Sequence, residues 1–144
     1  MIQRIQSIWL LLAALCGVSA LFVPFAIQAT SPKYTEVVDL TAVTPLQFIP
    51  ALLTIGAFSI LSLVAIFGYK NRKSQLRFCY IAALGALLTV VLEYFKIRSW
   101  LQEGIATQYA YGLVLAPAAL LFILLAVQSI RKDEKLVRSL DRLR

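Results

Sequence analysis

Four long apolar runs constrain this chain more than any other feature. They cover about residues 8–29, 48–69, 78–95 and 111–130. A helix crosses the roughly 30 Å hydrocarbon core of a bilayer with about 20 residues, and each run is near that length. Unpaired backbone amides cost several kcal/mol each in hydrocarbon, so long uncharged runs are read as helices. Membrane strands would need segments of about ten residues alternating apolar and polar, and these runs do not alternate. The expected fold is an all-α membrane protein, a four-transmembrane-helix bundle forming one domain over residues 1–144.

Composition agrees. The chain is 60% hydrophobic and 15% charged, against roughly 45–50% and about 25% in soluble domains. Its net charge of +7 is explained by where the positive residues lie. Arg4 precedes the first run. Lys70, Arg72, Lys73 and Arg77 surround the connection between the second and third. Arg131, Lys132, Lys135, Arg138, Arg142 and Arg144 fill the tail. Only Lys33, Lys96 and Arg98 fall on the other side. Positive residues mark cytoplasmic segments, so both termini and the short middle connection are expected in the cytoplasm. The basic excess then calls for an anionic lipid surface and not for nucleic acid.

The residue inventory argues against several chemistries. There is no histidine, and the two cysteines, Cys16 and Cys79, sit in separate runs with no CxxC pair. A zinc peptidase would need histidines, and a thiol oxidoreductase of four helices would need paired cysteines. No catalytic residue, cofactor or metal ligand is expected.

The outer connections carry further signals. The segment 35–43 is rich in β-branched residues and predicts a short strand or hairpin in the first outer loop. Phe48, Tyr94, Trp100, Tyr109 and Tyr111 lie near outer span ends, where amphipathic rings settle. Val18-Ser19-Ala20 resembles a small-residue cleavage site, but the apolar sequence runs on to Ile27. The first span is therefore expected to be an uncleaved anchor. Pro24 and Pro117 fall inside expected spans and predict bends there.

Glu93 is the one ionisable residue well inside a span. An intramembrane carboxyl is a functional candidate. The plainer expectation is a structural pair with Lys96, three residues on. Small residues recur at helical spacing: Ala13 and Gly17, Cys16 and Ala20, Ala82 and Ala86, Gly112 and Ala116. On the second span Gly56, Ser59, Ser62 and Ala65 do so at intervals of three. Such faces let helices approach closely, and packing within the bundle is their first expected use. The tail, IRKDEKLVRSLDRLR, places Leu136, Leu140 and Leu143 on one helical stripe with a basic opposite face. It predicts a short amphipathic helix that rests on anionic lipid or docks a partner.

The start, MIQRIQSIWLLLAAL, the segment NRKSQLR and the end, RKDEKLVRSLDRLR, together resemble a Bacteroidota family of unknown function. Its members are short inner-membrane proteins with four expected spans. The resemblance implies a bacterial inner membrane and points to the cytoplasmic segments. There Gln3, Arg4, Gln6, Asn71, Arg72, Arg77, Asp133, Arg138, Asp141 and Arg142 are the candidates. One cytoplasmic platform would pair Glu134 and Asp141 with Arg4, Arg72 or Arg77. Arg4, Arg72, Arg77, Glu134, Arg138, Asp141 and Arg142 are thus the expected interaction residues. The expected function is a non-catalytic accessory or assembly subunit with a membrane-protein partner. The alternative is a small oligomeric transporter or channel using Glu93.

Overall fold

Each apolar run becomes a helix, and local chemistry sets where each one ends. The computed structural model describes residues 2–30, 39–68 and 71–141. The long helices are α1 (Ile2–Phe22), α2 (Ile49–Phe67), α3 (Arg72–Gln102) and α4 (Leu115–Asp141). Three short strands, β1 (Ala26–Thr30), β2 (Asp39–Val43) and β3 (Ala106–Tyr109), lie in the connections. All four helices are long and apolar enough to cross a membrane. This is a membrane protein.

The first span is shorter than expected. It ends at Phe22, not Ala29. Pro24 lacks an N–H and its ring clashes with the helical carbonyl four residues back. The chain therefore leaves the helix at Val23 and continues into β1. Pro24 bends no helix; it ends one. Pro117 sits in the first turn of α4, where a missing N–H is tolerated, so it makes no mid-span hinge either. The third helix is longer than its apolar run, because Lys96 and Arg98 interrupt hydropathy without interrupting helix. Its start is capped by Asn71, whose side chain accepts from the Ser74 amide. The tail is helical through Asp141 and continues the fourth span as part of α4.

Of the segment 35–43 expected to form a strand or hairpin, residues 39–43 are β2 and residues 35–38 lie outside the described residues; the partner strand β1 comes from the stretch expected to end the first span. β1 pairs antiparallel with β2, Ala26 opposite Val43 and Thr30 opposite Asp39. It also pairs antiparallel with β3, Ala26 opposite Tyr109. The order is β2-β1-β3, so β1 joins the α1–α2 connection to the α3–α4 connection. Gly104, at φ +76°, turns the chain from α3 toward β3 in a conformation that glycine adopts without strain.

In the bundle α1 packs against α2 and α4, and α3 against α2 and α4. Every helix buries a stripe spaced three or four residues apart. On α1 it is Gln6, Leu10, Ala13, Gly17 and Ala20; on α2 it is Ala51, Ile55, Phe58, Ser62 and Ala65. On α3 it runs Gln75, Cys79, Ala82, Ala86, Thr89, Glu93, Ile97 and Trp100. On α4 it runs Ala116, Ala119, Ile123, Ala126, Ile130 and Asp133. A repeat of about 3.5 residues keeps one seam facing its neighbours, the packing of left-handed helical bundles. The expected small-residue faces are spent here. Ala13, Gly17, Ala20, Ala82, Ala86, Gly112 and Ala116 are buried inside. A Cβ on Gly17 would lie 2.0 Å from Ser59 Oγ.

The core is divided. The main apolar cluster spans all four helices. A second cluster, Phe25, Ala26, Val43, Ile97 and Trp100, lies under the sheet. Trp100 is therefore no interfacial anchor. It is buried and stacked on Phe25 at 6.0 Å between ring centroids.

Candidate functional site

These stripes carry polar side chains inward at two levels. The first level is toward the sheet. Thr89 Oγ1 donates to Thr54 Oγ1 at 2.9 Å, and Thr54 in turn donates to the Ala51 carbonyl at 3.0 Å. One turn further along α3, Glu93 is 1% exposed, and its Oε2 has no hydrogen-bond partner. Thr89 and Glu93 thus separate the main core from the cluster under the sheet.

Lys96 does not pair with Glu93. Its ammonium lies 5.7 Å from the centroid of Phe48 and 5.1 Å from that of Trp100. Cation–π attraction to two rings holds it there. Glu93 is left alone in an apolar setting. Among the described residues no cluster of three potential metal ligands forms.

The second level is at the end where α1 begins and α4 finishes. Gln6 Nε2 donates to Asp133 Oδ2, tying α1 to α4. Asp133 is 7% exposed, and its Oδ1 has no partner. Gln75 of α3 is also buried. Nearby in sequence, Nη1 of the half-buried Arg72 is buried without a partner. Of the residues expected to form a platform, Arg72 and Glu134 are half-buried and Arg77 is exposed. The side chains of Arg4, Arg138 and Asp141, and all of Arg142, lie outside the described residues, as do the side chains of Leu140 and Leu143. Among the described residues the structure brings Gln6 to Asp133. Sequence reasoning named both residues but did not pair them. The signal was available: continuing the three-four stripe of α4 through Ile130 lands on Asp133.

Between the two levels the interior is apolar and filled. Leu10, Ala13, Ile55, Phe58, Ala82, Ala86, Ile123 and Ala126 are fully buried. The intervening serines are committed to their own helix. Ser59 donates to the Ile55 carbonyl and Ser62 to the Phe58 carbonyl, both at 2.7 Å.

Grooves mark the outside. One, of about 250 Å³, runs between α2 and α3 and is lined by Leu53, Ala57, Phe58, Ile81, Leu84 and Gly85 among others. A second, of about 530 Å³, is lined by Gln128, Arg131, Lys132, Glu134 and Lys135 near the end of α4. A third, of about 330 Å³, lies toward the sheet between α3 and α4, with Tyr94 and Tyr109 in its wall.

These features define a class: a four-helix membrane bundle, capped at one end by a small antiparallel sheet, whose described interior polar groups form two layers with only the helix-bonded Ser59 and Ser62 between them. The chain matches, over residues 2–143, the model of a family described as a domain of unknown function (DUF4293), and it belongs to that family. No curated protein matches it.

Proposed function

We propose that this protein is a non-catalytic accessory or assembly subunit of a larger bacterial inner-membrane complex. It docks a transmembrane helix of its partner protein along the groove between α2 and α3. Both termini and the basic ends of α3 and α4 face the cytoplasm.

The observation that carries the reading is where small residues remain unused. Most of them are consumed by packing inside the bundle, Gly85 included, since a Cβ there would lie 3.2 Å from Phe58 Cβ, but the exposed Ala57 lines an outward groove. A Cβ built on the neighbouring Gly56 meets nothing within 4 Å. In lipid, helices associate through close packing at small residues, because hydrocarbon gives apolar side chains no reason to leave it. The exposed Leu53, Ile81 and Leu84 on the flanks supply the contact area for such a helix. The apolar filling between the two polar layers also favours a docking role over a conduit.

A photoreactive residue at Ala57 in native membranes tests this. The expected result is one discrete protein adduct, absent when the same group replaces the exposed Leu11 on α1. Adducts to lipid alone at both positions would remove the docking reading. An adduct to a second copy would replace it with a homo-oligomer.

The buried Glu93 with its unpartnered oxygen supports the second reading, a small transporter or channel. Flux in proteoliposomes that falls on Glu93→Gln would favour it. Flux unchanged by that substitution would set it aside.

A further inference from the structure

We propose that the groove near the end of α4 is a binding site for the phosphate headgroup of an anionic phospholipid. The inference is independent of which protein the α2–α3 groove holds.

The last turns of α4 sort their charges by face. Asp133 turns inward to Gln6 and is buried. Arg131, Lys132 and Lys135 are exposed and line the groove with Gln128 and Glu134. The lining therefore carries three positive groups against one negative. No ion pair neutralises Arg131, Lys132 or Lys135 among the described residues. Arg131 is also held in place, its guanidinium 5.5 Å from the centroid of the Tyr80 ring on α3. A stacked guanidinium keeps its fork of donors for a phosphate oxygen pair. The two ammonium groups add point charge, and the Gln128 amide adds a neutral donor.

A lipid fits better than a soluble phosphate because of what precedes the groove on the same face. Leu121, Leu124 and Leu125 are exposed there; Leu124 and Leu125 each lie three or four residues from Leu121 and from Gln128, on one face. At about 1.5 Å per residue, Leu125 and Lys132 are separated by about 10 Å along the axis. The face changes from apolar to basic over the depth at which acyl chains give way to headgroups. The groove volume of about 530 Å³ lies within the range of roughly 300–1,000 Å³ seen for small-molecule sites.

The test is native mass spectrometry of the full chain in detergent, titrated separately with phosphatidylglycerol and phosphatidylcholine. The expected result is a preference of about tenfold for phosphatidylglycerol, since each basic residue near an anionic surface contributes on the order of 1 kcal/mol. Arg131→Gln with Lys135→Gln should abolish that preference and leave phosphatidylcholine binding unchanged. Lys73→Gln with Arg98→Gln removes the same charge elsewhere and should leave the preference intact. Equal binding of the two lipids by the unaltered protein would overturn the proposal, and that comparison stands even if a variant fails to fold. Equal losses in both double variants would reduce the effect to net charge and overturn it too. Displacement of the lipid by an equal concentration of soluble glycerophosphoglycerol would overturn the lipid assignment in favour of a free phosphate ester.

Discussion

Gly112→Ala is expected to destabilise the protein by about 3 kcal/mol, the upper end for adding one methyl to filled space. The added Cβ would stand 2.5 Å from the Pro24 carbonyl oxygen and 2.7 Å from that of Val23. Both are backbone atoms, so no side-chain rotation can relieve the contact. The same approach carries hydrogen bonds. The Gly112 amide donates to the Pro24 carbonyl at 2.9 Å, and the Ala110 amide donates to Phe25 at 3.1 Å. Separating the two segments by the needed distance would weaken both and loosen the sheet end from α4. Denaturation in mixed micelles reads the loss. Gly56→Ala provides the contrast: with nothing within 4 Å of its Cβ, it should be neutral or stabilise by up to about 1 kcal/mol, the helix preference of alanine over glycine. Equal effects at the two glycines would contradict the packing described at Gly112.

Gln6→Leu is expected to cost roughly 1–3 kcal/mol, because it leaves both oxygens of a buried carboxyl unmet. Asp133→Leu alone should also destabilise, since it strands the Gln6 amide. The double variant should recover much of the loss, because two apolar side chains of similar shape leave nothing unsatisfied. The quantity to measure is the coupling energy in a double-mutant cycle by denaturant titration. Additive losses would mean that the Gln6–Asp133 contact does not join α1 to α4.

The sequence made the four helices legible because hydrocarbon leaves an apolar chain few options. Their limits were less legible for a definite reason. Hydropathy measures solvent preference, not backbone conformation. Residues 25–27 continue the apolar character of the span before them, and only Pro24 signals that the helix has ended and a strand begins. Lys96 and Arg98 look like the end of a span, yet the helix runs on to Gln102. Burial was legible wherever the three-four stripe could be continued past the apolar run. That rule places Glu93, Gln75 and Asp133 inward, and the structure agrees. What no spacing rule supplied was the shared groove of Ala57 and Gly85. They sit on different helices, and only the packing of α2 on α3 brings them to one groove. The partner chosen by Lys96 was hidden for the same reason, since Phe48 reaches it from a distant part of the chain.

The most direct test of the docking account is purification of the tagged, full-length protein from its native membrane in mild detergent, beside Ala57→Trp. The indole would fill the α2–α3 groove from an exposed position, so the bundle itself should fold as before. The account predicts a stoichiometric membrane-protein partner with the unaltered chain and its loss, with normal yield and helicity, from Ala57→Trp. A partner that remains bound to Ala57→Trp, or a protein that purifies alone in both cases, would contradict it.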